Sequence, residues 1–357
     1  TASHNPPEFN GIKCIDPDGT EMARSNEERI EALYHSMSFR RADWSGLGRT
    51  RTYNTAVEEY IDGIVSRLDT AAIRKAKLRV AVDCSNGAAS FVTPRLLEKL
   101  GVRYVTLNAD PNGAFPGHNS EPTPDNTKDI VDLVKAGGFD LGFVHDGDAD
   151  RTIFVDDRGR DMYGDRSLAL VAHYACLENR GGLVVTSVGS SMCVEDAARL
   201  AGGRVEYTMV GSPIVARAMM DSGAVFGGEE NGGLIFPELQ YCRDGAMSAA
   251  KVLEIVAKHG RLSDLLDRIP SYAQYKTKTR CPDDRKQDVM RALAAKAKGD
   301  RVDTTDGVKI FSGKSWVLVR PSGTEPIFRV FSEARTPEEA KDIAESYKKR
   351  VEELVAG

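Results

Sequence analysis

The strongest constraint on the fold is a pattern that occurs twice. Leu78 to Asp83 is an apolar strand that enters the turn Cys84-Ser85-Asn86-Gly87-Ala88-Ala89, continues as a helical segment to Leu100, stops at Gly101 and resumes as a strand from Arg103 to Leu107. Leu183 to Thr186 repeats the scheme: it enters Val188-Gly189-Ser190-Ser191, a helical segment runs to Leu200, Gly202-Gly203 ends it, and Arg204 to Met209 is the next strand. Each reads as a βαβ unit, since parallel strands need a crossover that a helix supplies. Repetition implies two similar domains. With 357 residues and about 150 per domain as a guide, the chain has room for more than those two.

Between the repeats, a helix from Thr127 to Ala136 leads through Gly137-Gly138 into the strand Leu141 to His145. That strand delivers Asp146-Gly147-Asp148-Ala149-Asp150-Arg151 at its carboxyl end, where ligands of open α/β sheets collect. Thr152 to Val155 followed by Asp156-Asp157-Arg158-Gly159 reads as a hairpin closing the domain. The tail differs in kind. Trp316 to Arg320 and Ile327 to Glu333 are strands flanking a Ser-Gly loop, and Thr336-Pro337-Glu338-Glu339 opens a helix with a capping box and proline at its first position. The expected class is α/β, with repeated mixed α/β sheet domains and a smaller C-terminal α+β domain. Seams near Gly48 and Arg160, and a stretch at 271–285, divide the chain into 1–48, 49–160, 161–270 and 271–357.

Hydrophobic content of 41% with 28% charge is that of a globular protein, neither disordered nor membrane-bound. A formal charge of -5 with both signs interleaved offers no basic stripe for nucleic acid and no polybasic membrane tag. No apolar run reaches the ~18 residues of a membrane span, so neither an anchor nor a signal peptide is expected. The six cysteines are scattered singly, without the close pairs of zinc sites or redox dithiols, and fit core thiols in a reducing cytosol. Small-molecule chemistry in the cytoplasm is the expectation.

Four polar loops stand out. Thr1-Ala2-Ser3-His4-Asn5-Pro6 on its own reads more readily as a turn than as a nucleophilic serine, because a hydroxyl at its normal pKa needs an activated setting. In the second loop, Asp146, Asp148 and Asp150 repel one another: at about 4 Å and an effective dielectric of about 20, each close pair costs roughly 4 kcal/mol. A cation or solvent must resolve that, and the tether to an apolar strand favours the cation. An EF-hand is excluded, because its sixth position needs glycine where this loop has Arg151. Hard oxygen ligands in a compact loop favour Mg²⁺. The third loop, Gly228-Glu229-Glu230-Asn231-Gly232-Gly233, is a hairpin signal with carboxylates beside it that suit sugar hydroxyls. The fourth, Arg320-Pro321-Ser322-Gly323-Thr324-Glu325-Pro326, combines converging backbone N–H groups with a forked donor and suits a phosphate, or is a hairpin with an incidental arginine beside Arg329.

In this order the four loops resemble the signature loops of the α-D-phosphohexomutase superfamily, and the resemblance runs the length of the chain. It implies that Ser3 is phosphorylated, that Lys13 in Asn10-Gly11-Ile12-Lys13 is a general acid or base supported by His4, and that the serine phosphate completes the coordination of Mg²⁺ and meets Arg151. It further implies that Glu229 and Asn231 hold sugar hydroxyls, with Gly189, Ser190 and Gly211 lining the pocket. Arg320, Ser322, Gly323 and Thr324, with Arg329, grip the nonreacting phosphate. The implied activity moves a phosphoryl group between C1 and C6 of a hexose phosphate through a sugar bisphosphate, which also serves as activator. Gly233 stands where many relatives carry histidine. Relatives also carry most of a further domain before the serine loop, so a missing segment or a second chain is expected to complete domain 1; assembly as a homo-oligomer is left open. A metal-dependent sugar phosphatase and a non-catalytic sugar-phosphate binder are the competing readings.

Overall fold

A computed structural model describes residues 2–297, 301–322 and 325–356. Three helices, α1 (Arg24–His35), α2 (Ala56–Val65) and α3 (Thr70–Ala76), precede the first strand β1 (Arg79–Asp83). The first repeat folds as its periodicity predicts: α4 (Ala89–Leu100) stops where Gly101 takes a φ of 74°, and β2 (Arg103–Leu107) pairs in parallel with β1. Next, α5 (Lys128–Ala136) crosses to β3 (Leu141–His145), again parallel to β1, and β4 (Thr152–Asp156) and β5 (Asp161–Met162) extend the sheet antiparallel in the order β2-β1-β3-β4-β5. Ile130 and Val134 lie one turn apart on α5 and are buried against Ala81, Val144 and Val155. Burying each contributes about 1.5–3 kcal/mol, which anchors the helix that feeds β3.

The second repeat follows as α6 (Gly164–Glu178), β6 (Gly182–Ser187), α7 (Met192–Leu200), β7 (Gly203–Thr208), α8 (Ser212–Ser222) and β8 (Phe226–Gly228). β6 is parallel to both β7 and β8, so all three strands end at one edge. The chain continues through β9 (Leu234–Phe236), β10 (Gln240–Arg243), α9 (Gly245–His259) and α10 (Leu262–Asp267).

The C-terminal part holds β11 (Ala273–Arg280), α11 (Lys286–Lys296), β12 (Arg301–Asp303), β13 (Val308–Ser312), β14 (Ser315–Pro321), β15 (Ile327–Ala334) and α12 (Pro337–Ala356). Its strands are antiparallel throughout, in the order β11-β15-β14-β13-β12. The expected capping box forms in part: Glu339 N donates to Thr336 Oγ1 at 3.2 Å, and α12 buries Ala340, Ala344 and Val351. Phe311, Trp316 and Leu318 of this sheet share one apolar cluster with Val188 and Met192.

Two compact units result, Thr1–Tyr163 with Gly232–Leu265, and Gly164–Asn231 with Leu266–Gly357. Among the described residues no helix is long and apolar enough to cross a membrane.

Candidate active site

All five residues of β3 are buried, and the strand carries the chain straight into Asp146. The acidic loop is closed by its own backbone: Ala149 N donates to Asp146 O at 3.2 Å, and Arg151 N donates to Asp146 Oδ1 at 3.1 Å. It is also gripped from two helix starts, by Ala88 N on Gly147 O at 3.0 Å and Gly245 N on Ala149 O at 3.1 Å. The packing leaves no room for side chains. A Cβ on Gly87 would collide with the Gly147 carbonyl, and one on Gly147 would come within 2.6 Å of the Ser3 carbonyl. Below the loop, His145 is fully buried between Thr93 Oγ1 and Thr152 Oγ1, at 3.1 and 3.0 Å, and burial lowers it to about 4. It is a neutral structural imidazole.

One oxygen from each of Asp146, Asp148 and Asp150 lies within 4.8 Å of the others. Burial first, then the charges of Asp150 and Asp148, push the Asp146 carboxyl up to about 8. Its Oδ2 and the Oδ1 of Asp150 are buried with no hydrogen-bond partner among the described residues. Buried carboxylate oxygens left in that condition are costly, and a hard divalent cation is what such an all-oxygen set fits. Asp148 differs: burial alone would raise it, but Lys13, the Ser3 hydroxyl and Arg243 hold it below its ordinary value.

Ser3 has a left-handed backbone, φ 55°, that a serine rarely adopts. In this conformation its Oγ donates to Asp148 Oδ1 at 3.2 Å and lies 3.3 Å from His4 Nδ1. Burial, then Arg151, lowers His4, so its ring is neutral at neutral pH. Lys13 Nζ reaches Asp148 Oδ2 and Asp150 Oδ2, both at 3.2 Å, and Glu21 at 3.4 Å. Burial works against the ammonium, but Asp150, Asp148 and Glu21 outweigh it and raise its pKa, so Lys13 carries a proton to give. Arg151 Nε stands 3.8 Å from both Asp146 and Asp150. Sequence reasoning missed Arg243, at the end of β10, whose Nη2 lies 2.6 Å from Asp150 Oδ2.

The second group of expected residues lies at the shared edge of β6, β7 and β8. Glu229 Oε1 accepts from Gly211 N at 3.0 Å, and Glu230 Oε2 accepts from Ser187 Oγ at 3.2 Å, with Gly189 N 3.3 Å from the same hydroxyl. Ser190 is fully buried, its Oγ 2.6 Å from Thr186 Oγ1, and so acts inside the loop rather than on its surface. Asn231, half-buried, follows directly after Glu230.

In the fourth loop, Arg320 and Arg329 are directly opposed across β14 and β15. Opposed like charges destabilise a sheet, and here Asp306, 2.7 Å from Arg320, and Glu325, 3.3 Å from Arg329, offset part of that penalty. Ser322 Oγ accepts from Glu325 N at 3.2 Å, and Lys286 Nζ, also missed in the sequence, donates to Ser322 O and Glu325 O at 2.7 Å. Gly323 and Thr324 lie outside the described residues.

The fold and these loops define a class, the α/β phosphosugar mutases, and similarity to known proteins narrows it. Descriptions of the phosphoglucomutase/phosphomannomutase family match along the chain: alpha/beta/alpha domain I at residues 1–41, domain II at 58–159, domain III at 163–272 and the C-terminal domain at 277–349. A Thermococcus kodakarensis protein named phosphoglucomutase/phosphomannomutase is 47% identical over 359 residues, covering 100% of this chain and 78% of that protein. A probable phosphoglucosamine mutase from Methanopyrus kandleri is 41% identical over 350 residues, covering 97% and 76%. The crystal structure of a phosphoglucomutase/phosphomannomutase family protein from Burkholderia thailandensis superposes with a TM-score of 0.87 at 27% identity, over 99% of this chain and 75% of that one. The chain belongs to the phosphoglucomutase/phosphomannomutase family within the α-D-phosphohexomutase superfamily. It is accordingly a phosphosugar mutase, an intramolecular phosphotransferase.

Proposed function

We propose that this mutase interconverts hexose 1- and 6-phosphates, with glucosamine, mannose or glucose phosphate as substrate, through phosphorylated Ser3 and a sugar 1,6-bisphosphate. The observation that carries the reading is the Ser3 hydroxyl on Asp148, inside a carboxylate cluster in which Asp146 Oδ2 and Asp150 Oδ1 are buried without a hydrogen-bond partner among the described residues. Asp146, Asp148 and Asp150 hold Mg²⁺, which supplies neutralisation of charge on the phosphoryl group. The four segments 1–48, 49–160, 161–270 and 271–357 carry one loop each: serine, metal, sugar and phosphate. Free thiols, most of them buried, favour a reducing cytoplasm.

In the first half-reaction a sugar hydroxyl oxygen bonds to the phosphorus of phosphoserine while the bond from phosphorus to Ser3 Oγ breaks. The serine oxygen gains a proton and the sugar hydroxyl loses one. Lys13 gives its proton to the serine oxygen and is recharged from the sugar hydroxyl; its ammonium shares Asp148 with Ser3, which supports that role. Neutral His4 orients the Ser3 oxygen, and Arg151 pairs with the phosphate. Glu229 and Asn231, beside Gly189 and Gly211, take the sugar hydroxyls, and Arg320 with Ser322 and Arg329 takes the phosphate that does not react. The bisphosphate then turns over, and the second half-reaction returns a phosphoryl group to Ser3 from the other end of the sugar.

The test is turnover of glucose, mannose and glucosamine 1-phosphates by the full-length protein, scored for 6-phosphate and for free phosphate, with and without chelator. Isomer formation that needs Mg²⁺ is the expected result. Inorganic phosphate as the main product, or full activity in chelator, would overturn the reading.

A further inference from the structure

We propose that Asp306 is a positioning residue for the mutase reaction, one that holds Arg320 and the Val210–Gly211 turn in a single register so that the phosphate grip and the sugar grip keep a fixed separation. The inference rests on the roles given above to Arg320 and Glu229. Asp306 lies in the turn between β12 and β13, and its Oδ2 accepts from Arg320 Nε at 2.7 Å and from Val210 N at 3.0 Å. The next backbone N–H, of Gly211, donates to Glu229 Oε1 at 3.0 Å. A continuous line of hydrogen bonds and one peptide link therefore joins the arginine to the sugar-loop carboxylate.

The local structure is built to keep that line short. Gly307 follows with a φ of 94°, and a Cβ there would come within 3.0 Å of Arg320 Cα, so the turn lies directly on the arginine. The Asp306 and Arg320 side chains are 16% and 23% exposed, which shelters their bond from water. Bonding at Nε fixes the plane of a guanidinium while its two-Nη edge still matches a pair of phosphate oxygens.

A carboxylate beside a phosphate-binding arginine has two opposite effects. As a charge it repels the phosphate; as a hydrogen-bond acceptor it orders the arginine before the phosphate arrives. Two features favour ordering here. The Asp306 charge is shared between a guanidinium and a backbone N–H, and although Arg329, across from Arg320, pairs with Glu325 at 3.3 Å, Lys278 stands across from Arg329 in turn and leaves the strands with a positive surplus. Fixed spacing matters for this reaction in particular, because the sugar must be held in both of its orientations with either phosphate at the same grip.

The experiment is steady-state kinetics of the full-length protein on whichever of glucose, mannose and glucosamine 1-phosphates turns over fastest, with inorganic phosphate as competitive inhibitor. Asp306→Ala should raise KM, and the inhibition constant for phosphate, about tenfold or more, with a smaller fall in kcat. Asp306→Asn, which keeps an acceptor oxygen, should restore part of the loss. Asp306→Ala added to Arg320→Ala should cost less than the two single losses combined, because only the bond to Val210 N remains to be lost. Unchanged or lower KM in both Asp306 variants, or additive losses in the double variant, would overturn the proposal. Should thermal melting show that Asp306→Ala does not fold, Asp306→Asn, alone and with Arg320→Ala, carries the same expectations of a raised KM and non-additivity. If Arg320→Ala leaves KM and phosphate inhibition untouched, the reading of the phosphate grip itself falls. An Arg320→Ala defect with silent Asp306 variants overturns only the positioning role.

Discussion

The Ser3 hydroxyl donates to Asp148 Oδ1 at 3.2 Å although 145 positions of chain separate them. The contact puts a candidate phosphoryl acceptor on the edge of a cation-ready carboxylate cluster. Ser3→Ala should abolish the covalently bound phosphate seen by intact-protein mass spectrometry and lower turnover about a thousandfold or more. A variant that isomerises sugar phosphate at the wild-type rate would end the phosphoserine account.

Gly147 lies against the Ser3 carbonyl, where a Cβ would come within 2.6 Å. Gly147→Ala must push the serine loop off the metal loop by a fraction of an ångström or more. Displacements of about 1 Å cost about a hundredfold in rate, so we expect a loss of that order in kcat with melting changed by only a few degrees. Equal kcat in the two proteins would show that the contact yields without consequence.

Arg243 neutralises part of the charge on Asp150 Oδ2 at 2.6 Å. Removing it makes the cluster more attractive to a cation and deprives the phosphoryl group of a nearby positive charge. Arg243→Ala should therefore reach half-maximal activity at about tenfold lower Mg²⁺ while its maximal turnover falls. A Mg²⁺ titration checks both signs at once, and a rise in the Mg²⁺ requirement would contradict the electrostatic argument.

Asp165, on α6, accepts from Ser191 N at 2.8 Å and from Gln274 Nε2 at 3.0 Å. Burial, then the charge of Glu230, pushes its carboxyl from 3.8 up to about 7. The folded state thus keeps a proton that the unfolded chain releases. Its contribution to stability is fully present below the ordinary value of 3.8 and is lost as pH rises toward about 7. Asp165→Asn should flatten the fall of the urea midpoint across that interval, and an unaltered slope would count against the shift.

The strands and helices around the loops were legible because their signals are short-range. Alternation and apolar runs mark β1 and β3, Gly101 stops α4, and Thr336 with Pro337 starts α12, each within a few residues of the element it governs. The resemblance to phosphohexomutases, not periodicity, put Gly189, Gly211 and Glu229 in one pocket; the structure ends β6, β7 and β8 at one edge and sets Gly211 N on Glu229 Oε1. Ser190 shows the limit of that reasoning: strand-end position is visible in a sequence, but whether a hydroxyl turns outward or bonds Thr186 depends on packing.

Arg243, Lys286 and Asp306 carried no such signal. Each is a charged residue in a chain full of them, and its meaning comes from partners many positions away: Asp150 for Arg243, Ser322 and Glu325 for Lys286, Val210 and Arg320 for Asp306. By itself the sequence determined the chemical content of each loop and the class of element that carries it, since propensity, periodicity and turn chemistry act between near neighbours. Only the tertiary structure decided which charges are stripped of water and set against one another, because desolvation and Coulomb coupling depend on distance in space and not on position in the chain.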